Sequence, residues 1–223
     1  SQPPGVLASP SRSPDRAALA VLLARAAAGH PPAPDGGLTI VPQPNPRDLG
    51  VLAFTGHVVI FADLDHGWIR GLLPGDDVAA PLNPPFLRAL EEQTGRLVDS
   101  VDLLTCADPL DGAPPTALTE ITGAGHARVA RAHRHRDEVR VWRSADGLVI
   151  LGRGVAGRWE AAVEVEPAHR GRGAGRLLAR AARHLSPGPV WAQIAPGNAA
   201  SVRAFLAAGY LPVAAEALLP ANS

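Results

Sequence analysis

Three glycines in five residues, set between a strand-like run and a helix-like run, are the part of this sequence best suited to chemistry. The segment reads Val163-Glu164-Val165-Glu166-Pro167-Ala168-His169-Arg170-Gly171-Arg172-Gly173-Ala174-Gly175-Arg176. It predicts a strand, a Pro stop, a glycine loop and then a helix. Glycine lets the backbone take positive φ and approach a ligand closely. Exposed N–H groups opening a helix form a concave anion site, reinforced by the positive end of the helix dipole. Such a loop holds a pyrophosphate without a metal. Two common phosphate loops are excluded. The nucleoside-triphosphate loop ends in Gly-Lys-Ser/Thr, and this chain has no Lys, all 21 basic residues being Arg. The dinucleotide fingerprint is G-x-G-x-x-G, whereas Gly171, Gly173 and Gly175 are spaced G-x-G-x-G.

The helix behind the loop places Leu178, Ala181, Ala182 and Leu185 at i, i+3, i+4, i+7, a stripe that faces a core. Arg172, Arg176, Arg180 and Arg183 fall on the other side, as a solvated face or as phosphate contacts. Further along, Pro196-Gly197-Asn198 leads into Ala199-Ala200-Ser201-Val202-Arg203-Ala204-Phe205-Leu206-Ala207-Ala208-Gly209-Tyr210. Asn198 suits a helix N-cap, Gly209 suits the residue just past the C-terminus, and Val202, Phe205 and Leu206 form the buried stripe.

Arg170-x-x-Gly173-x-Gly175 resembles the Arg/Gln-x-x-Gly-x-Gly/Ala signature with which GNAT acetyltransferases bind the pyrophosphate of CoA. The Asn198-to-Tyr210 element resembles a second feature of that family, a helix opened by Asn and closed by Gly-Phe or Gly-Tyr. The resemblance covers residues 137–219 and says little about residues 1–115. It implies an α/β (α+β) fold with a mixed, mostly antiparallel sheet flanked by helices, preceded here by an N-terminal α/β extension. It implies acetyl transfer from acetyl-CoA to an amine by direct attack. Strands 159–166 and 190–194 are expected to splay, with acetyl-CoA between them against the backbone of Val163 and Val165. The N–H near Val165 would polarise the thioester carbonyl. Arg170, Gly171, Arg172, Gly173, Ala174, Gly175 and Arg176 would hold the pyrophosphate, and Asn198 and Ser201 the pantetheine arm. The departure is Phe205, where many members carry the Tyr that protonates the departing thiolate; Ser201, a helical turn earlier, offers a hydroxyl or a water.

Direct attack needs a base for the acceptor's ammonium. Glu164 is preferred, on the strand face opposite Val163 and Val165. Glu166, His169, Glu120, His126, His133 and His135 are the alternatives. No metal-ligand set is completed by the histidines. A module that binds acyl-CoA without turnover is the rival function. Nucleic-acid binding through the arginines of 170–183 is a weaker one, given the lack of interleaved aromatics.

The elements that must position these groups read as follows. Residues 1–14 form a Ser/Pro-rich arm, and a helix spans about Pro14 to Gly29. Pro31 to Pro46 is a connector with a short strand at Leu38–Val41, followed by a hairpin at Val51–Phe54 and Val58–Phe61. Short helices cover 63–73 and 86–95, and a strand covers Leu97–Thr105. A polar break at Asp108–Pro115 divides an extension, 1–115, from the core, 116–223. Beyond it come a helix at 126–136, strands at 139–142, 148–151, 159–166 and 190–194, helices at 173–185 and 198–208, and a last strand at 210–219. The acceptor, a small molecule or a protein amine, is expected to be recognised by residues 1–136. Within them, Asp63, Asp65 and Trp68 are either a cation pocket or a helix cap and a core residue.

Acidic and basic residues balance at 21 each in 223 residues, so no net field draws the chain to nucleic acid or membrane. Hydrophobic residues at 46% allow a packed core. The single Cys106 allows no internal disulfide and suits a reducing, cytoplasmic setting. A homodimer is compatible with this composition.

Overall fold

The computed structural model describes residues 14–222. All but the last residue of the Ser/Pro-rich arm lies outside them. Helix α1 (Ala18–Ala27) begins later than Pro14 because Asp15 forms a turn first. Its carboxylate accepts the N–H of Ala17 at 3.1 Å and its carbonyl the N–H of Ala18 at 3.3 Å. Then come β1 (Leu38–Val41), the hairpin of β2 (Gly50–Phe54) and β3 (His57–Phe61), and helices α2 (His66–Gly71) and α3 (Pro84–Thr94).

Strand β4 (Val101–Ala107) starts four residues after the expected Leu97. The preceding stretch is tied elsewhere: Glu91 accepts the N–H of Val98 at 2.9 Å, and Asp99 N–H bonds the carbonyl of Leu218 at 3.2 Å. A short strand the sequence did not announce, β5 (Thr119–Ile121), follows the polar break. The rest runs α4 (Ala127–His135), β6 (Asp137–Ser144), β7 (Gly147–Arg153), β8 (Trp159–Val165), α5 (Ala174–Leu185), β9 (Val190–Ile194), α6 (Ala199–Ala207) and β10 (Leu211–Leu218). These match the expected elements to within two or three residues.

The ten strands among the described residues join one sheet in the order β1-β3-β2-β10-β4-β9-β8-β7-β6-β5. Only β1/β3 and β8/β9 run parallel; the other seven neighbours are antiparallel. Strands from both sides of the polar break alternate in this sheet, for β10 lies between β2 and β4, and β4 bonds β9.

Alternation along the strands sends side chains to two covered faces. Helices α5 and α6 bury Leu178, Ala181, Ala182 and Phe205 against Ala107, Leu151, Ala161 and Ala192. Helices α2 and α3 cover the same face further along, against Val51, Ile60 and Ala217. On the opposite face α1 packs on Leu52, Phe61, Leu104 and Trp191, and α4 on Val141, Leu148 and Ile150. Strand β3, His-Val-Val-Ile-Phe, is buried throughout, as a strand covered on both faces requires. Among the described residues no helix is long and apolar enough to cross a membrane.

Candidate active site

Strand pairing fails at the middle of the sheet. Strands β8 and β9 pair only at Trp159–Val190 and Glu160–Trp191, though β8 continues to Val165 and β9 to Ile194. The two strands expected to splay therefore do so. The N–H of Glu166 bonds the carbonyl of Asp146 at 2.9 Å, on the β7 side. Backbone direction alternates along an antiparallel strand, so Ala161, Val163 and Val165 turn their N–H and C=O groups the other way, toward β9. Past the Glu160–Trp191 pair, in which Ala161 still takes part, no strand among the described residues meets Val163 or Val165.

A cleft of about 460 Å³ opens at this gap. Val163, Ile194, Asn198, Ser201 and Phe205 line it on the side of α6, and Glu160, Gln193, Asp102, His135 and Arg136 on the side of α4. Val163, Asn198 and Ser201 are thus brought to one cleft. The carboxamide oxygen of Asn198 accepts the N–H of Ser201 at 3.1 Å, so the capping role is occupied. Phe205 is buried, its ring edge-on to Tyr210 at 4.8 Å between centroids. The Tyr210 hydroxyl donates to the carbonyl of Ala179 at 3.0 Å, and burial pushes its pKa up, so it is a structural phenol.

The glycine loop continues from the end of β8. Gly171 and Gly173 take φ of +74° and +81°, and space above both α-carbons is open. Gly173 caps α5 in the left-handed conformation. The first N–H groups of a helix have no partner within it. Here the N–H groups of residues 171–176 donate to no acceptor among the described residues. Gly175 serves packing: a Cβ there would lie 3.3 Å from Ala204 and 3.7 Å from Val165. Ala174 is buried beside it. Arg170, Arg172, Arg176 and Arg180 are exposed and, among the described residues, none has a carboxylate within 4.0 Å. Arg183, from the same helix, is a strut: it donates to the carbonyls of Asp108 and Ala208 at 2.8 and 2.9 Å.

The expected base stands elsewhere. Glu164 projects to the α4 face, outside the cleft lining, with Arg128 at 2.9 Å and His126 at 3.4 Å. Of the alternatives, Glu120 is held bidentately by Arg140 at 2.8 Å on the outer strands, and His169 bonds Asp146 at 3.0 Å. Glu166 and His133 are exposed. His135 lines the cleft; its burial, with Arg131 nearby, holds its pKa below the usual imidazole value. Asp65 is the N-cap of α2, accepting the N–H of Trp68 at 2.7 Å, and Asp63 bonds Arg16 and Gln43. None of Asp63, Asp65 and Trp68 lines the cleft.

The floor of the cleft is a group of residues that sequence reasoning missed. Glu160 is buried between Arg136 at 2.9 Å and Arg158 at 2.7 Å and accepts the N–H of Val155 at 3.1 Å. Arg158 reaches Glu216 through two bonds of 2.7 and 3.0 Å, and Gln193 closes the chain on Glu216. Burial opposes ionisation of Glu160, but the Arg158 and Arg136 charges hold its carboxyl below the usual range. Gly154 makes room, for a Cβ there would lie 2.1 Å from the Glu160 carboxyl carbon. The available signal was a lone charge inside an apolar strand, as in Val213-Ala214-Ala215-Glu216-Ala217-Leu218.

Residues 129–210 match the family model described as the acetyltransferase (GNAT) family. Among solved structures, the chain is similar to a GCN5-related N-acetyltransferase from Kribbella flavida at 18% identity and a TM-score of 0.38, with 62% of this chain and 65% of that one covered. A putative GNAT acetyltransferase from Novosphingobium aromaticivorans matches at 20% identity and a TM-score of 0.35, over 58% and 69% of the two chains. A GCN5-related N-acetyltransferase from Sphaerobacter thermophilus matches at 17% and 0.36, over 61% and 55%. The chain thus spans under two thirds of the length of two of these three. No curated protein matches the sequence.

Proposed function

We propose that this protein transfers an acetyl group from acetyl-CoA to an amine. The observation that carries the reading is the gap between β8 and β9, whose unpaired backbone groups at Val163 and Val165 lead directly into the glycine loop. In this reading the N–H groups of residues 171–176 cradle the pyrophosphate, and Arg170, Arg172 and Arg176 add charge. The pantetheine arm runs along β8 toward Val163, past Asn198 and Ser201. A backbone N–H of Val163 or Val165 polarises the thioester carbonyl, and Ser201 supplies a hydroxyl near the departing sulfur, where Phe205 has none. Residues before 115 form the acceptor wall through Arg47, Asp48, Ser100 and Asp102. Glu164 is engaged by Arg128, so the acceptor's proton goes to a group inside the cleft. Cys106 is buried, and its thiol, pushed up to about 12 chiefly by that burial, takes no part. A reducing, cytoplasmic setting fits that lone cysteine.

Calorimetry with acetyl-CoA, followed by thiol release in the presence of an amine panel, tests the reading. We expect binding and amine-dependent thiol release. Binding with no release for any amine would make the protein an acyl-CoA-binding module, and absence of binding would end both readings.

A further inference from the structure

Four carboxylates line the cleft: Asp48, Asp99, Asp102 and Glu160. Three are engaged by arginines. Asp48 pairs with Arg47 at 3.1 Å and accepts the N–H of Ala156, Asp99 pairs with Arg131, and Glu160 lies between Arg136 and Arg158. Asp102 has no such partner among the described residues. One of its oxygens accepts the Ser100 hydroxyl at 2.9 Å, and the other has no donor.

Its place in the sheet aims it at the gap. Asp102 sits opposite Glu216 of β10, one residue beyond the Leu103–Ile194 pair where β9 leaves β4. Side chains of Asp102, Leu104 and Glu216 share one face with Gln193 and Glu160, the face opposite α6. The carboxylate therefore enters the cleft from the side away from the proposed pantetheine path. Burial raises its pKa, the Ser100 hydroxyl and Arg131 oppose this and Asp99 adds to it, and the net direction is upward, so the charged form is only partly compensated. A cationic ligand would compensate it.

We propose that Asp102 receives the ammonium group of the acceptor, and that the acceptor is accordingly an amine that is cationic at neutral pH. The proposal rests on the acetyl-transfer reading. The ammonium binds the Asp102 carboxylate and gives it one proton. The freed nitrogen lone pair forms the N–C bond to the thioester carbonyl carbon, whose π electrons move to oxygen. Collapse of that adduct breaks the C–S bond. The thiolate leaves with the sulfur electron pair and takes the second nitrogen proton, giving amide and CoA thiol. The proton on Asp102 returns to solvent.

The test compares alkylamines, charged at pH 7.5, with arylamines, neutral there, on wild type, Asp102→Asn and Asp102→Glu, with acetyl-CoA affinity measured on each protein. We expect Asp102→Asn to lower kcat/KM for alkylamines at least ~100-fold, as removal of a positioned acid–base group does, with arylamine rates and acetyl-CoA affinity held. Asp102→Glu keeps the charge and should keep the preference for alkylamines at a reduced rate; it carries the test if the Asn variant misfolds. Near-native alkylamine turnover in Asp102→Asn, an equal fall for both amine types, or loss of the preference in the Glu variant each overturns the proposal. So does a wild type that binds acetyl-CoA and acylates only arylamines. A wild type that binds no acetyl-CoA removes the underlying reading and this one with it.

Discussion

Arginine serves two regions of this protein in opposite circumstances. At the rim of the glycine loop Arg170, Arg172, Arg176 and Arg180 stand in solvent, with no carboxylate partner among the described residues. At the floor of the cleft Arg158 is buried and Arg136 mostly so, and they are held by Glu160 and Glu216 through well-formed bonds. The physics explains the division. A charge taken out of water must be matched by fixed partners, or it costs several kcal/mol. A charge meant for a ligand that comes and goes has to be left unmatched, and only solvent makes that cheap. The floor is therefore architecture, joining β8, β9 and β10 just where the sheet parts, and the rim is where the proposed anion would dock.

Three variants sharpen that contrast. The largest effect belongs to the floor. Arg158→Met leaves Glu216 with Gln193 as its only side-chain partner and removes one of the two cations on Glu160, a loss of about 3–5 kcal/mol. At ~2–4 °C per kcal/mol for a chain of this size, calorimetric melting should fall by roughly 6–20 °C. A melting temperature within a degree of wild type would mean that water reaches the group.

Gly173→Asp comes next and strikes the rim. Its φ of +81° is tolerated by Asp at a cost of ~1 kcal/mol, and open space receives the side chain. The carboxylate then stands where the pyrophosphate is proposed to lie. Acetyl-CoA affinity should weaken by at least ~100-fold, about 2.7 kcal/mol, in a protein that still melts cooperatively. Unchanged affinity in calorimetry would remove the loop from the cofactor site.

The smallest effect is that of Arg172→Gln combined with Arg176→Gln. Both side chains are exposed and make no ion pair among the described residues, so melting should hold to about a degree. Acetyl-CoA binding should weaken by roughly 3- to 10-fold and lose part of its dependence on salt, since screened surface charge is what is removed. A marked fall in stability would show that these arginines are architecture too.

Much of the site was legible before folding. Asn198 and Gly209 announce a helix by capping chemistry, and the three glycines announce a loop because positive φ is cheap for them alone. Even the limits of β8 follow from alternation and from Pro167. The acceptor side was not legible. Asp102, Glu160 and Glu216 look in sequence like any strand carboxylate, and the preferred Glu164 differs from Glu160 by two whole alternations of the same strand. Arg128 reaches the first and Arg136 and Arg158 the second, a choice made by where α4 lands on the sheet.

The sequence by itself determined the local elements, the glycine loop and the spacings by which residues 129–210 match the acetyltransferase (GNAT) family model. These depend on backbone preferences and spacings that act over a few residues. Tertiary structure decided which charges are partnered and which are free. Arg158 and Glu216 are 58 positions apart, and Thr105 and Ala192 are 87 apart, yet each pair is in hydrogen-bond contact in the finished sheet. Strand order is set by the burial of whole faces, and no local signal records that β10 will lie between β2 and β4. That placement brings Glu216 opposite Asp102 and leaves Asp102 at the gap without a cation, because every nearby arginine is already held by another carboxylate.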